Sequence, residues 1–416
     1  MIKQEIDVAV IGGGPAGLAT AIKAKEAGVD NVTIIERADY LGGLLHQCIH
    51  NGFGLFYFNE DMTGPQYAHR FIEKAMDTGV DSMLKSMVLK ILPNRSVVVS
   101  NREGISYLNP KTIILTMGCR ERTRESLRIP GTRPAGVFTA GTAQRYVNLD
   151  GYIPGKEVVI MGSGDIGMIM ARRLTLEGVN VKAVVEVLPY VGGLIRNEVQ
   201  CLHDFDIPIY LKHTVTNIHG PERINAVSIA EVDDKWQPIE GTEQKIDCDT
   251  LLLSVGLIPE NELSRDLGIE LDPITGGPVV NSRMETSVQG VFAGGNVVHV
   301  HDLVDNVTWE AEQAGAFAAS FAQDGPPPAT PDITLRAGEN IRYTLPHKIS
   351  REGGVTIYAR VMEPQIKVRL ELGDIYSKNK KIVKPSEMIK IELSEDDIKN
   401  IDEKNNKLVL DCKSRE

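Results

Sequence analysis

Cysteine is scarce in this chain, and its placement excludes more than its scarcity does. Cys48, Cys119, Cys201, Cys248 and Cys412 are scattered over 416 residues, with no CxxC and no CxxxxC. Such spacing offers no zinc knuckle, no iron-sulfur ligand run and no close dithiol, and it reads as reduced thiols. Long apolar runs are missing too, so no segment is expected to cross a bilayer as a helix. The first strand-like run starts within a few residues of Met1, too early for a secretory leader, and a cytoplasmic location is the expectation. An excess of positive charge is also absent. The net charge of −11 argues against nucleic acid or an anionic membrane as partner.

What is present is a repeat. Val8-Ala9-Val10-Ile11-Gly12-Gly13-Gly14-Pro15-Ala16-Gly17 recurs as Val158-Val159-Ile160-Met161-Gly162-Ser163-Gly164-Asp165-Ile166-Gly167, a shift of 150 positions. The same shift takes Glu36 to Glu186 and Gly42-Gly43-Leu44 to Gly192-Gly193-Leu194. Each copy reads as a buried strand, a glycine-rich turn, a helix, and an acid at the tip of the next strand. In such a unit the first glycine makes the turn and the second lets backbone approach a pyrophosphate. The third packs helix on strand, the helix N-terminus faces the phosphates, and the acid meets a ribose hydroxyl. The alternative is a pair of ordinary βαβ crossovers.

Two such units in one chain of this length imply an α/β fold with two Rossmann-like domains, one for FAD and one for a nicotinamide dinucleotide. The first copy resembles the flavin motif of the two-dinucleotide-binding flavoprotein reductases through Gly12, Gly14, Pro15, Ala16, Gly17, Glu36 and Arg37. The second, through Gly162, Gly164, Asp165, Ile166, Gly167 and Glu186, then takes the nicotinamide cofactor. Glu186 repels a 2′-phosphate, and Val187, Leu188, Pro189 and Tyr190 supply no cation to bind one, so NAD(H) is favoured.

Along the chain we expect a flavin domain over 1–121 and 251–325, a nicotinamide domain over 122–250, a Pro-rich extended linker over 326–331, and a β-rich docking domain over 332–416. An amphipathic helix is expected from Tyr67 to Asp77, an antiparallel pair at Met87–Ile91 and Val97–Val99, and a buried strand over Lys111–Met117. A long helix is expected from about Leu303 to Phe321. Thr116, Gly118, Gly295, Asn296, Asp302 and Leu303 are placed beside the flavin, together with Gly43, Leu44 and Gln47. Val255 and Gly256 are placed beside the nicotinamide nucleotide. Alternation such as Ile366-Lys367-Val368-Arg369-Leu370-Glu371-Leu372 marks the last region as β. Its charge is slightly positive against an acidic remainder.

Two segments carry candidate chemistry. In Leu44–Phe53, a helix would put His46 and His50 one turn apart with Cys48 to the side. The segment reads as a metal site lacking its third ligand, as a thiol activated by a helix N-terminus and imidazole, or as packing and hydrogen bonding beside the flavin. Cys48 and His50 are therefore carried as catalytic candidates, and no metal is expected. In His299-Val300-His301-Asp302, His301 could relay a proton to the flavin; alternatively Asp302 caps the long helix and both histidines face solvent. The Arg120–Arg128 run reads as a connector.

Gly42-Gly43-Leu44-Leu45-His46-Gln47-Cys48-Ile49-His50-Asn51-Gly52-Phe53-Gly54-Leu55, Thr63–Ala68, Thr116–Arg122, Ile129–Gly136, His299–Asp305 and Pro385–Met388 resemble one family over nearly the whole chain. It comprises NAD- and FAD-dependent oxidoreductase subunits that accompany FAD-dependent glycerol-3-phosphate dehydrogenase-like proteins, with dye-linked proline and opine dehydrogenase subunits as relatives. The resemblance implies an electron-transfer subunit passing hydride equivalents between NAD(H) and FAD for a partner dehydrogenase subunit or a small redox protein, in a homo- or hetero-oligomer. Disulfide-reducing relatives carry a close cysteine pair, and this chain does not. A self-contained NADH oxidase or peroxidase using Cys48, and a flavin-binding scaffold with a regulatory NAD site, are the other two readings.

Overall fold

The computed structural model describes residues 3–328, 332–402 and 406–415. Its continuous Val/Ile runs form strands covered on both faces, which removes any need for polar alternation. Val8, Ala9, Val10 and Ile34 are fully buried. By internal packing the chain divides into two units, Met1–Cys119 with Pro259–Glu416, and Arg120–Ile258.

In the first unit the strand Lys3–Ile11 lies between Val32–Ile35 and Gly104–Leu115, parallel to both. Gly104–Leu115 is longer than the buried strand expected at Lys111–Met117. Its polar first half forms an antiparallel ladder with Val97–Asn101, and its apolar end pairs with Val291–Ala293 in parallel. The expected hairpin is seen as Met87–Ile91 with Val97–Asn101. The helix Gly64–Asp77 begins at a Thr63–Gln66 capping box, which satisfies two of its orphan N–H groups. The long helix runs Val304–Asp324 and stops at Gly325, whose φ of +82° cannot continue it.

The second unit repeats the pattern. Five parallel strands stand in the order Val137–Thr139, Thr250–Leu253, Glu157–Met161, Asn180–Glu186, Ile209–Leu211. A three-stranded antiparallel meander, His213–His219, Ala226–Glu231 and Gln244–Asp247, precedes the return strand.

From Ile333 onward the chain is β-rich, in a five-stranded and a three-stranded sheet. Pro385–Met388 turns between Tyr376–Val383 and Ile389–Leu393, as its composition suggests. These sheets have a core of their own that includes Ile357, Leu370 and Leu410, but Leu345 and Tyr358 are packed into the main core of the first unit. Of the expected extended linker, residues 329–331 lie outside the described residues. Among the described residues no helix is long and apolar enough to cross a membrane. The fold is α/β, with two Rossmann-like dinucleotide-binding domains and a small C-terminal β domain.

Candidate functional site

The three glycines of each copy divide the work as their spacing implies. Gly12 has φ +106°, and a Cβ on it would lie 2.6 Å from the Thr116 carbonyl oxygen. A Cβ on Gly17 would collide with the Gly12 carbonyl. Gly14 differs, because a Cβ there would meet nothing within 4 Å. Turn and packing thus forbid side chains at the first and third glycines. Open space beside the second, at the start of the helix Pro15–Glu26, is left for a phosphate. Thr116 fixes the turn by donating its hydroxyl to the carbonyls of Ile11 and Gly12 at 2.9 and 3.0 Å.

The second unit matches it. Gly162 has φ +100° and abuts the Ser254 carbonyl; a Cβ on Gly167 would sit 2.6 Å from the Gly162 carbonyl oxygen; near Gly164 the closest atom would be 3.8 Å away. Ser254 takes the place that Thr116 holds in the first unit. Its N–H donates to Met161 as the Thr116 N–H donates to Ile11. Sequence reasoning singled out Val255 and Gly256 and passed over Ser254. The available signal was the parallel between Leu115-Thr116 and Leu253-Ser254, each a polar residue ending a buried strand.

The acids agree in detail. Glu36 accepts from Gly13 N–H at 2.6 Å and Ala38 N–H at 2.7 Å. Glu186 accepts from Ser163 N–H at 2.8 Å and Leu188 N–H at 2.9 Å, with the Ser163 hydroxyl adding a third bond at 2.6 Å. Both carboxylates are buried, and a carboxylate can accept about four hydrogen bonds, so positions remain for ribose hydroxyls. Asp165 is drawn aside, its carboxylate accepting from Leu194 N–H and from the Asn197 amide. Gly43 approaches the phosphate turn so closely that a Cβ on it would be 3.0 Å from Gly14 Cα. An open phosphate position, an uncapped helix start and a lodged acid fit a dinucleotide in each unit.

The segment after Gly43 corrects the helical picture. It forms only a 3-10 turn, Gly43–Gln47, with Cys48 at its C-terminal end, where the Cys48 carbonyl accepts from Gly64 N–H at 2.9 Å at the start of the helix Gly64–Asp77. Burial pushes the Cys48 thiol up to about 12, opposite to what an activated thiolate requires. His46 and His50 do not share a face. The His46 Nε2 lies 2.6 Å from the Leu41 carbonyl oxygen, and His50 lies beyond the turn with Nδ1 2.9 Å from the Asn51 carbonyl oxygen. Gln47 is buried, whereas Leu44 and Arg37 are exposed. Accordingly Cys48→Ser retains NADH-to-dye turnover within about twofold of wild type, since a thiol so far from ionisation contributes no nucleophile. Steady-state dye reduction with flavin content measured alongside decides this; a loss of most turnover at full flavin occupancy overturns it. The Arg120–Arg128 run is structural in part, as Arg124 donates to the carbonyls of Ile129 and Gly131.

The late motif brings the largest departures. Gly295 N–H donates to Glu310 Oε1 at 2.8 Å, and Asn296 Oδ1 accepts from His301 N–H at 3.0 Å. The amide nitrogen of Asn296 lies 3.7 Å from Cys119 Sγ, so one donor and one acceptor position of the side chain stay open. His299 and His301 are both buried, not solvent-facing. His299 Nε2 lies 2.8 Å from Glu310 Oε2, and its Nδ1 lies 3.2 Å from the Tyr343 hydroxyl. Burial lowers His299 to about 4, so it is neutral at pH 7. Burial alone would raise Glu310, but the imidazoles facing it hold it below the usual carboxylate range. Asp302 does not cap the long helix, whose N-cap is Leu303 without a side-chain bond. Asp302 instead accepts from Met388 N–H at 3.0 Å and lies 3.9 Å from Arg360. Glu310, Tyr343 and Arg360 went unnoticed in the sequence. The signal for Glu310 was a charge on the same helical stripe as Ala314 and Ala318.

A family model for pyridine nucleotide-disulphide oxidoreductases matches residues 6–314. Hydrogen cyanide synthase subunit HcnB of Pseudomonas protegens is 28% identical over 290 residues, 64% of this chain and 60% of that protein. An opine oxidase subunit of Agrobacterium tumefaciens is 24% identical, over 70% of this chain and 61% of that protein. The match thus spans about three fifths of the length of each of these two relatives. Among solved structures, T. acidophilum thioredoxin reductase aligns with a TM-score of 0.63 at 23% identity, over 77% of this chain and 100% of that one, a likeness of fold.

Proposed function

The chain belongs to the pyridine nucleotide-disulphide oxidoreductase family, whose members are enzymes working with FAD and a pyridine nucleotide, and from that premise we propose that it is an NADH:acceptor oxidoreductase subunit. It passes hydride equivalents between NAD(H) and FAD, and on to a partner dehydrogenase subunit of the glycerol-3-phosphate dehydrogenase-like type. The carrying observation is the pair of matching dinucleotide turns, each with its lodged acid and open second glycine, in a chain without a close cysteine pair. The subunit reading is supported by the two relatives, both named as subunits.

The bound groups supply hydride transfer; the chain supplies placement. The amides at the start of Pro15–Glu26 and Asp165–Leu176 would hold the two pyrophosphates, and Glu36 and Glu186 would hold the adenosine riboses. Thr116 and Ser254 keep each turn in the shape that leaves the phosphate position open. The start of Val304–Asp324, with no side-chain cap, would favour negative charge on a flavin placed against it. For docking we assign the edge strand Tyr376–Val383, whose Lys378 and Lys381 are exposed, with Ile366 beside it 68% exposed.

Purified anaerobically, the protein is expected to bleach its flavin on addition of NADH and to be reoxidised by its co-purifying partner. NADPH reduces it at least about tenfold more slowly, since a 2′-phosphate beside buried Glu186 is repelled and unpaired. Glu186→Ala with Val187→Arg narrows that ratio. Equal rapid-mixing rates for the two nucleotides in the wild type overturn the assignment of Glu186.

A further inference from the structure

Hydride transfer has no need of the two histidines and the glutamate that meet between the Gly295 turn and the C-terminal sheets. His299, His301 and Glu310 are all buried, and one ligand atom from each lies within 4.8 Å of the others. Both ring nitrogens of His301 are buried and make no hydrogen bond, although its Nε2 lies 3.4 Å from Glu310 Oε2. A buried polar group left so is destabilising unless something else meets it.

We infer that His299, His301 and Glu310 form a binding site for a divalent transition-metal ion of the zinc type, against the sequence expectation of no metal. Ligand atoms around a tetrahedral zinc ion with bonds of about 2.0–2.1 Å are about 3.3 Å apart. The 2.8 Å from His299 Nε2 to Glu310 Oε2 and the 3.4 Å from His301 Nε2 to the same oxygen bracket that spacing. A metal-bound imidazole anchors its other nitrogen, and His299 Nδ1 has the Tyr343 hydroxyl for this at 3.2 Å. The other carboxylate oxygen of Glu310 is anchored by Gly295 N–H, which leaves Oε2 for the ion. Arg360 is the cation nearby, and it donates to the carbonyls of Val300 and Pro385 and is paired with Asp302.

Two imidazoles and one carboxylate, with no thiolate, suit zinc over calcium or copper(I). With three protein ligands the fourth position of the tetrahedron falls to a water, and the ion is assigned a fastening role, joining the Gly295 turn and the long helix to the sheet that carries Tyr343.

Full-length protein on an affinity tag free of histidine, purified without chelator and dialysed against metal-free buffer, is measured by inductively coupled plasma mass spectrometry. About one zinc per chain is expected, falling below about a tenth in His299→Gln/His301→Gln at unchanged flavin absorbance, while His69→Ala, at an exposed His–Glu pair, keeps it. Should the double variant fail to fold, chelator-stripped wild type titrated with zinc chloride gives one site by calorimetry and a melting temperature raised by several degrees. Wild type that holds less than about a tenth of an equivalent and takes up none on titration overturns the site. So does zinc that persists undiminished in a folded double variant.

Discussion

Gly164→Val abolishes reduction of the flavin by NADH and leaves the flavin in place. A Cβ at Gly164 meets no protein atom closer than 3.8 Å, so the second unit is expected to fold with a small side chain there. The valine methyls occupy the space the structure leaves at the start of the helix Asp165–Leu176, where the nucleotide pyrophosphate is to lie. Anaerobic rapid mixing is expected to show a fall of about two orders of magnitude or more, equivalent to roughly 3 kcal/mol of lost binding and alignment. Dithionite still bleaches the flavin fully. Gly162→Val serves as the contrast: its Cβ would run into the Ser254 carbonyl and its φ is positive, so the second unit itself is lost. Reduction of Gly164→Val at the wild-type rate would remove this turn from the reaction.

A chain ending at Gly325 is expected to lose most of its flavin and its solubility together. The sequence presents residues 332–416 as a separable docking module, but the structure ties them into the first unit. Leu345 is fully buried and Tyr358 nearly so, both in the core shared with the strand Lys3–Ile11. Exposing that core face costs about 1.5–3 kcal/mol for each large side chain withdrawn. It also uncovers His299 and Glu310 and breaks the bonds from Met388 to Asp302 and from Arg360 to Val300. Flavin absorbance per chain and the melting temperature report the loss; a truncated chain retaining both shows the sheets to be an accessory. Lys378→Glu/Lys381→Glu probes docking without this damage. It reverses charge on the outermost strand, and co-purification of the partner falls while flavin content holds.

The two dinucleotide turns were legible because each depends on residues close in sequence, and on a repeat that shows the same choice made twice. The hairpin Met87–Ile91 with Val97–Asn101 and the alternating C-terminal strands were legible for the same reason. What stayed hidden depends on pairings over long separations. Ser254 clamps the Gly162 turn from 92 residues away, and nothing in its neighbours marks it beyond its place at a strand end. An activated Cys48 was one of three readings of its segment, and it depended on a helix there. Gly42 and Gly43, both with positive φ, instead allow a single 3-10 turn that leaves the thiol at the wrong end. Asp302 has the composition of a cap, but Met388, distant in sequence, draws its carboxylate away from the helix.

The one hydrogen bond by which the two acids differ bears on how long each cofactor stays. Glu36 meets two protein donors and Glu186 meets three, because Ser163 stands where the first copy has Gly13. Of about four acceptor positions on a carboxylate, the ribose at Glu36 finds two open and the ribose at Glu186 finds one. The neighbouring loop is tied alike in both copies, Gly192 N–H donating to the Ser163 hydroxyl and Gly42 N–H to the Gly13 carbonyl, each at 2.8 Å, so the difference rests on the acids alone. With one fewer acceptor position open, the ribose at Glu186 has one fewer hydrogen bond to gain on arrival and to break on departure. On that count the first cofactor is expected to leave more slowly than the second, which a comparison of their dissociation rates would read directly.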